Sequence, residues 1–171
     1  MRIQLILGDI TQESVDAIVN AANSALLPGG GVDDAITRAA GRDAFADRER
    51  VIAERGEPPL PTGDAVATIA GDLDARWIIH TAGPVYSAHE RASDLLASCH
   101  RSVLRVADEL GARSVAFPAI STGSYGYPIA LAAPIAITSV MRAETDVEQV
   151  RFVLFGEDAL AAFRAAVDAG A

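Results

Sequence analysis

The chain of 171 residues contains no lysine, because all fourteen of its basic residues are arginine. That absence removes a Walker-type GK[ST] phosphate loop and Schiff-base chemistry, both of which require a lysine amine. Cysteine is almost absent as well. Cys99 stands alone and makes no internal disulfide, in agreement with a reducing compartment. The three histidines, His80, His89 and His100, show no metal-ligand spacing, so each reads first as a satisfied or exposed side chain, and no metal or cofactor is expected. There is no long apolar run: residues 129–140 are interrupted by Pro134 and fall short of a bilayer span. The N-terminus carries a charged strand pattern where a secretory signal needs an apolar core. A soluble, cytoplasmic, monomeric protein without membrane contact is the expectation. No linker or low-complexity stretch divides the chain, so a single domain over residues 1–171 is expected. The net charge of -9 argues against gripping duplex nucleic acid through its phosphates, but leaves room for a small anionic ligand held by backbone dipoles.

What is present is organised around residues 17–35, AIVNAANSALLPGGGVDDA. The short apolar run at 15–19 predicts a buried strand delivering Asn20 and Asn23 to a sheet edge. Gly29, Gly30 and Gly31 follow without a Cβ, so several N–H groups can converge on a phosphate at the start of a helix. The same three glycines also read as a plain flexible turn.

Strands are predicted at 3–7, 64–70, 77–80, 114–120 and 149–155, and helices at 33–40, 43–55, 92–110, from 128 to about 142, and 157–169. The strands at 64–70 and 77–80 are expected to pair. The prolines at 58, 59 and 61 read as a solvated connection. A second polar, glycine-bearing loop, 121–128 (STGSYGYP), repeats the strand, loop, helix pattern. Alternating strands and helices imply an α/β domain with a mixed or largely parallel sheet covered on both faces. In such sheets ligands sit at the carboxyl ends of strands, where Asp9, Asn20, Asn23, Ser121 and Phe155 are expected. Asp9 reads equally as an acceptor for an exocyclic amine and as a turn-forming residue. Neither glycine loop fits G-x-G-x-x-G, which disfavours an ordinary nicotinamide oxidoreductase.

Five segments, GDIT at 8–11, VNAAN at 19–23, GGGVD at 29–33, IIHTAGPVY at 78–86 and FPAISTGSYGYP at 117–128, together resemble the macrodomain family, in particular its MacroD-type ADP-ribosyl hydrolases. The resemblance spans essentially the whole chain and implies a three-layer α/β/α sandwich with a central mixed sheet. It implies that Gly8, Asp9 and Ile10 hold adenine, that Phe155 stacks on it, and that Ser121, Thr122, Gly123, Ser124, Tyr125 and Gly126 donate amides and hydroxyls to a diphosphate. Gly30, Gly31 and Val32 would close from the other side, with Asn20 also binding the substrate and Tyr125 shaping the distal ribose pocket. Asn23 would orient that ribose, and Asp33 would position a water or activate it as general base, with help from the substrate's own diphosphate. For Phe155 the other reading is a core side chain; for Asp33 it is stabilisation of a helix N-terminus, a role open to Asp34 too. Pro28 and Asp34 stand where family members often have glycine, and Ser124 where a small apolar residue is common.

The implied activity is metal-independent hydrolysis of ADP-ribose esters, removing mono-ADP-ribose from aspartate or glutamate side chains of proteins and deacetylating O-acetyl-ADP-ribose. ADP-ribosylated nucleic-acid ends are a further substrate class. The alternatives are a non-catalytic ADP-ribose reader and a sensor of free nucleotides.

Overall fold

Apolar runs rich in Val, Ile and Phe become strands here because both faces of their sheet are covered by helices. The computed structural model describes residues 1–88 and 90–170. In chain order it contains β1 (Arg2–Leu7), β2 (Ala17–Ala22), α1 (Val32–Ala40), α2 (Arg42–Glu54), β3 (Ala65–Ile69), β4 (Trp77–Ala82), α3 (Ala92–Leu110), β5 (Ser114–Phe117), α4 (Ile129–Met141), β6 (Gln149–Leu154) and α5 (Glu157–Asp168). The sheet order is β1-β6-β5-β2-β4-β3. Every neighbouring pair is parallel except β3 with β4. The mixed sheet and the pairing of its last two strands are as the sequence suggests.

Successive strand residues feed two different cores, as the two-residue period of a strand requires. Val19, Ile79, Phe117 and Phe152 join Leu96 of α3, Ile137 of α4 and Phe163 of α5. Their neighbours Ile18, Ile78, Ala116 and Val153 join Ile36 and Ala40 of α1 and Ala44 of α2. Three layers result, with the sheet in the middle. Among the described residues no helix is long and apolar enough to cross a membrane.

Two expectations change. β2 runs on to Ala22, so Asn20 lies inside the strand and not beyond its end. The proline-rich link is not simply solvated: Leu60 is fully buried with Ala22, Leu26, Val51 and Ala82. Its amide donates to the Ser24 carbonyl at 3.0 Å, and Arg55 Nε donates to the Pro59 carbonyl at 2.6 Å. Leu60 is one apolar residue among prolines, and burying it ties this link to the loop that follows β2.

Candidate functional site

The strand order lays the sequence-predicted residues along one edge of the sheet. At the carboxyl ends of β1 and β6, Leu7 is in register with Leu154, and the Gly8 amide donates to the Leu154 carbonyl at 2.9 Å. Asp9 and Phe155 therefore leave adjacent strands. Phe155 is 93% exposed, which rules out a core role and leaves a flat apolar face open to a planar partner. Asp9 caps the short 3-10 turn at Ile10–Gln12: its Oδ1 accepts from the Thr11 amide at 2.9 Å and the Thr11 hydroxyl at 2.7 Å. The turn-forming reading of Asp9 is thus realised, and no described donor occupies its other oxygen. The Ile10 side chain is buried, so only its backbone can face a ligand.

Next along the edge comes the loop after β5. It is folded on itself by three of its own amides: Thr122 donates to Ala119, Gly126 to Gly123, and Tyr127 to Ser121. The Thr122 hydroxyl also donates to Ala119, at 2.8 Å. Thr122 and Gly126 are therefore structural donors in this arrangement and not diphosphate donors as expected. The amides of Gly123, Ser124 and Tyr125 donate to no acceptor among the described residues, and they remain to meet an anion. Ser121 has a positive φ of 66° and a buried hydroxyl without a hydrogen-bond partner, a costly combination for a serine. A Cβ on Gly83, at the end of β4, would overlap the Ser121 Oγ and crowd Ile120. The Tyr86 amide then joins β4 to the loop by donating to the Tyr125 carbonyl at 2.9 Å.

After β2 comes the segment carrying Asn23 and the three glycines. The Asn23 side chain closes its own turn, donating to the Leu27 carbonyl at 2.7 Å and accepting from the Leu27 amide at 3.1 Å. A Cβ built on Gly29 would lie 3.5 Å from Asp33 Oδ2 and 3.6 Å from Asn23 Nδ2, so these two residues flank one glycine. Gly31 is the N-cap of α1 and offers no capping side chain. Gly30 and Gly31 amides have no acceptor among the described residues, which leaves this helix start open to an anion.

Asp33 departs from expectation. It is 2% exposed, and its two oxygens accept from five groups: Asn20 Nδ2, Thr37 Oγ1 and Arg48 on Oδ1, the Gly29 amide and Arg48 on Oδ2. Burial, the strongest single influence, opposes ionisation. The Arg48 bonds and charge, with the bonds from Asn20 and Thr37, nonetheless hold the carboxyl below its ordinary value of 3.8. A carboxylate so well satisfied as an anion is a weak proton acceptor. Asp34, the other acid at this helix start, instead pairs with Arg38 at the surface. Asn20 is likewise fully buried; its Nδ2 lies 3.1 Å from both Asp33 Oδ1 and His80 Nδ1. It sits behind the sheet edge and supports Asp33, and it does not reach the surface to touch a ligand.

Arg48, Thr37 and His80 complete this network, and sequence reading did not single out Arg48 or Thr37. The signal for Arg48 was its register: with Ala44 and Val51 it forms the buried stripe of α2, a charge where an apolar residue is expected. His80 is kept neutral by burial and by the Arg48 charge, with its pKa lowered to about 3. Asn20 donates to its Nδ1, so Nε2 carries the proton and donates to Thr68 Oγ1 at 2.8 Å. His100 lies in the core, stacked on Phe117, and His89 lies outside the described residues. Among the described residues no cluster of His, Cys, Asp or Glu is arranged to hold a metal ion.

An α/β/α domain with two open-amide loops side by side on the carboxyl edge of its sheet defines a binder of small anionic ligands. The Macro domain family model matches residues 19–136, and the chain belongs to that family. It is 60% identical over 163 residues to a macro domain-containing protein of Streptomyces coelicolor, covering 95% of this chain and 96% of the relative. It is 50% identical over 161 residues to the O-acetyl-ADP-ribose deacetylase of Escherichia fergusonii, covering 92% of this chain and 90% of that enzyme. Among solved structures, the Oceanobacillus iheyensis macrodomain with ADP superposes with a TM-score of 0.91 at 39% identity, covering 96% of this chain and 89% of that one.

Proposed function

We propose that this chain binds ADP-ribose along the sheet edge and hydrolyses its esters, with O-acetyl-ADP-ribose and mono-ADP-ribosylated aspartate or glutamate side chains as substrates. The observation that carries the reading is the order of groups on that edge: an exposed Phe155 beside Asp9 at one end, open amides at 123–125 in the middle, and Asn23 with the glycine segment beyond. That order matches a base, a diphosphate and a second ribose, and the three strand spacings from β1 to β2, of roughly 4.8 Å each, give it roughly 14 Å of length. The full-length relationship to a deacetylase of O-acetyl-ADP-ribose supports hydrolysis.

In the reaction, water adds to the acyl carbonyl carbon and its proton passes to an oxygen of the substrate's own diphosphate. The acyl–oxygen bond then breaks and the ribose oxygen takes that proton, leaving ADP-ribose and a carboxylic acid. Asn23 orients the ribose, and Asp33 acts through the glycine segment it anchors, since its own oxygens are occupied. Preorganised amides stabilise the developing negative charge.

One observation favours a second reading: the occupied Asp33 carboxylate suits a reader that binds ADP-ribose without turnover. Mass-spectrometric release of ADP-ribose from a glutamate-linked mono-ADP-ribosylated protein separates the two. Release by wild type, lost in Asn23→Ala while ADP-ribose binding persists, supports the hydrolase; binding without release by wild type supports the reader.

A further inference from the structure

One guanidinium underpins the whole segment between β2 and α1. Arg48 is 3% exposed and all five of its N–H groups have a partner. Its Nε donates to the Leu26 carbonyl at 2.7 Å, Nη1 to Asp33 Oδ1 at 2.7 Å and Thr37 Oγ1 at 3.3 Å, and Nη2 to the Leu27 carbonyl at 3.2 Å and Asp33 Oδ2 at 3.0 Å. It therefore grips the chain on both sides of Pro28 and the glycines: at 26 and 27 before them and at 33 after them. Leu26 is held there at a positive φ of 56°, an unfavourable conformation for a leucine that needs outside support. The Gly29 amide is fixed in turn by Asp33 Oδ2 at 3.2 Å.

We infer that Arg48 is the positioning residue that sets the 26–33 segment for the distal half of the ligand, and thereby the preference for ADP-ribose over ADP. This rests on the ADP-ribose reading above. The adenine end, at Asp9 and Phe155, and the middle amides at 123–125 belong to other strands and have no bond to Arg48. Loss of the clamp is therefore selective. Thr37 and Asn20 bond the same carboxylate, and His80 bonds Asn20, but none of the three touches the 26–27 backbone.

The test is calorimetric titration of the full chain with ADP and with ADP-ribose, for wild type, Arg48→Gln and Arg48→Lys. Wild type is expected to bind ADP-ribose more tightly than ADP. In Arg48→Gln the ADP-ribose affinity is expected to fall by about tenfold or more while ADP affinity changes by less than about threefold. Arg48→Lys keeps the charge beside Asp33 without the fork that spans two carbonyls and two carboxylate oxygens, so it should recover only part of the loss. Equal losses for both ligands, or no loss for either, would overturn the inference. Should Arg48→Gln not fold by circular dichroism, Arg48→Lys decides by the same comparison, and a lysine variant equal to wild type counts against it.

Amide exchange of Gly29 in ligand-free protein judges Arg48 independently. Exchange accelerated by about tenfold or more in the folded variant supports the clamp, and unchanged exchange contradicts it. If wild type binds neither nucleotide, the ADP-ribose reading has failed while the exchange result still rules on Arg48.

Discussion

Arg48 and Asp33 meet through both carboxylate oxygens, with side chains only 4% and 3% exposed. A pair this deeply buried stabilises little over an apolar pair of the same shape, yet is costly to halve. Arg48→Met alone should therefore destabilise the fold by about 3–5 kcal/mol, because Asp33 is left charged and unpaired. The double variant Arg48→Met with Asp33→Leu should recover much of that loss. Urea denaturation of the single and double variants measures both.

Acid should destabilise the protein well before Asp33 titrates. Burial lowers His80 to about 3 and His100 to about 4 from 6.5. Both are neutral in the folded chain and protonated in the unfolded one below pH 6.5. Their contribution is complete above that pH and is lost as pH falls towards the folded values, by about 2 kcal/mol for each at pH 5. The depressed Asp33 carboxyl adds stability above its ordinary value of 3.8 and loses it only as pH falls further, through the folded value. His100→Phe, within the Phe117 and Phe152 cluster, should therefore flatten the decline between pH 7 and 5 by about half. Stability measured across that range, in wild type and variant, checks it.

Phe155→Ala should leave stability within about 0.5 kcal/mol, because the ring is 93% exposed and packs nothing. The same change should weaken ADP binding by about 1–3 kcal/mol through loss of stacking on adenine. A melting curve and a titration with ADP, read together, separate these effects.

Gly83→Ala forces a methyl into Ser121 Oγ and Ile120. Overpacking of this kind should cost about 1–3 kcal/mol and shift the Ser121 loop, so nucleotide affinity should fall along with stability. Denaturation and ADP titration of that one variant test the link between β4 and the loop.

Local patterns carried most of the architecture. Helical spacing of Leu96, Cys99, Val103 and Val106 marks α3, and Gly111 ends it with a left-handed φ of 70°. Four of the five quoted motifs sit where a strand ends, at β1, β2, β4 and β5, and GGGVD opens α1. What local pattern does not carry is long-range pairing. Arg48 bonds Asp33 fifteen residues away, and a charge in an amphipathic helix reads as surface until the fold turns it inward. Asn20 reads as a loop residue because it is polar, whereas it lies inside β2 with its Nδ2 bonded to Asp33 and His80. Leu60 is hidden among prolines for the same reason: its burial depends on Val51 and on Ala22, Leu26 and Ala82, the last three more than twenty residues away.

The central claim, that this edge hydrolyses ADP-ribose esters, is tested most directly by incubating the purified chain with O-acetyl-ADP-ribose and following acetate and ADP-ribose over time. The account predicts that both products appear together, at a rate proportional to protein and sharply reduced in Asn23→Ala. Tight binding of O-acetyl-ADP-ribose with no acetate released above the rate in buffer would contradict it.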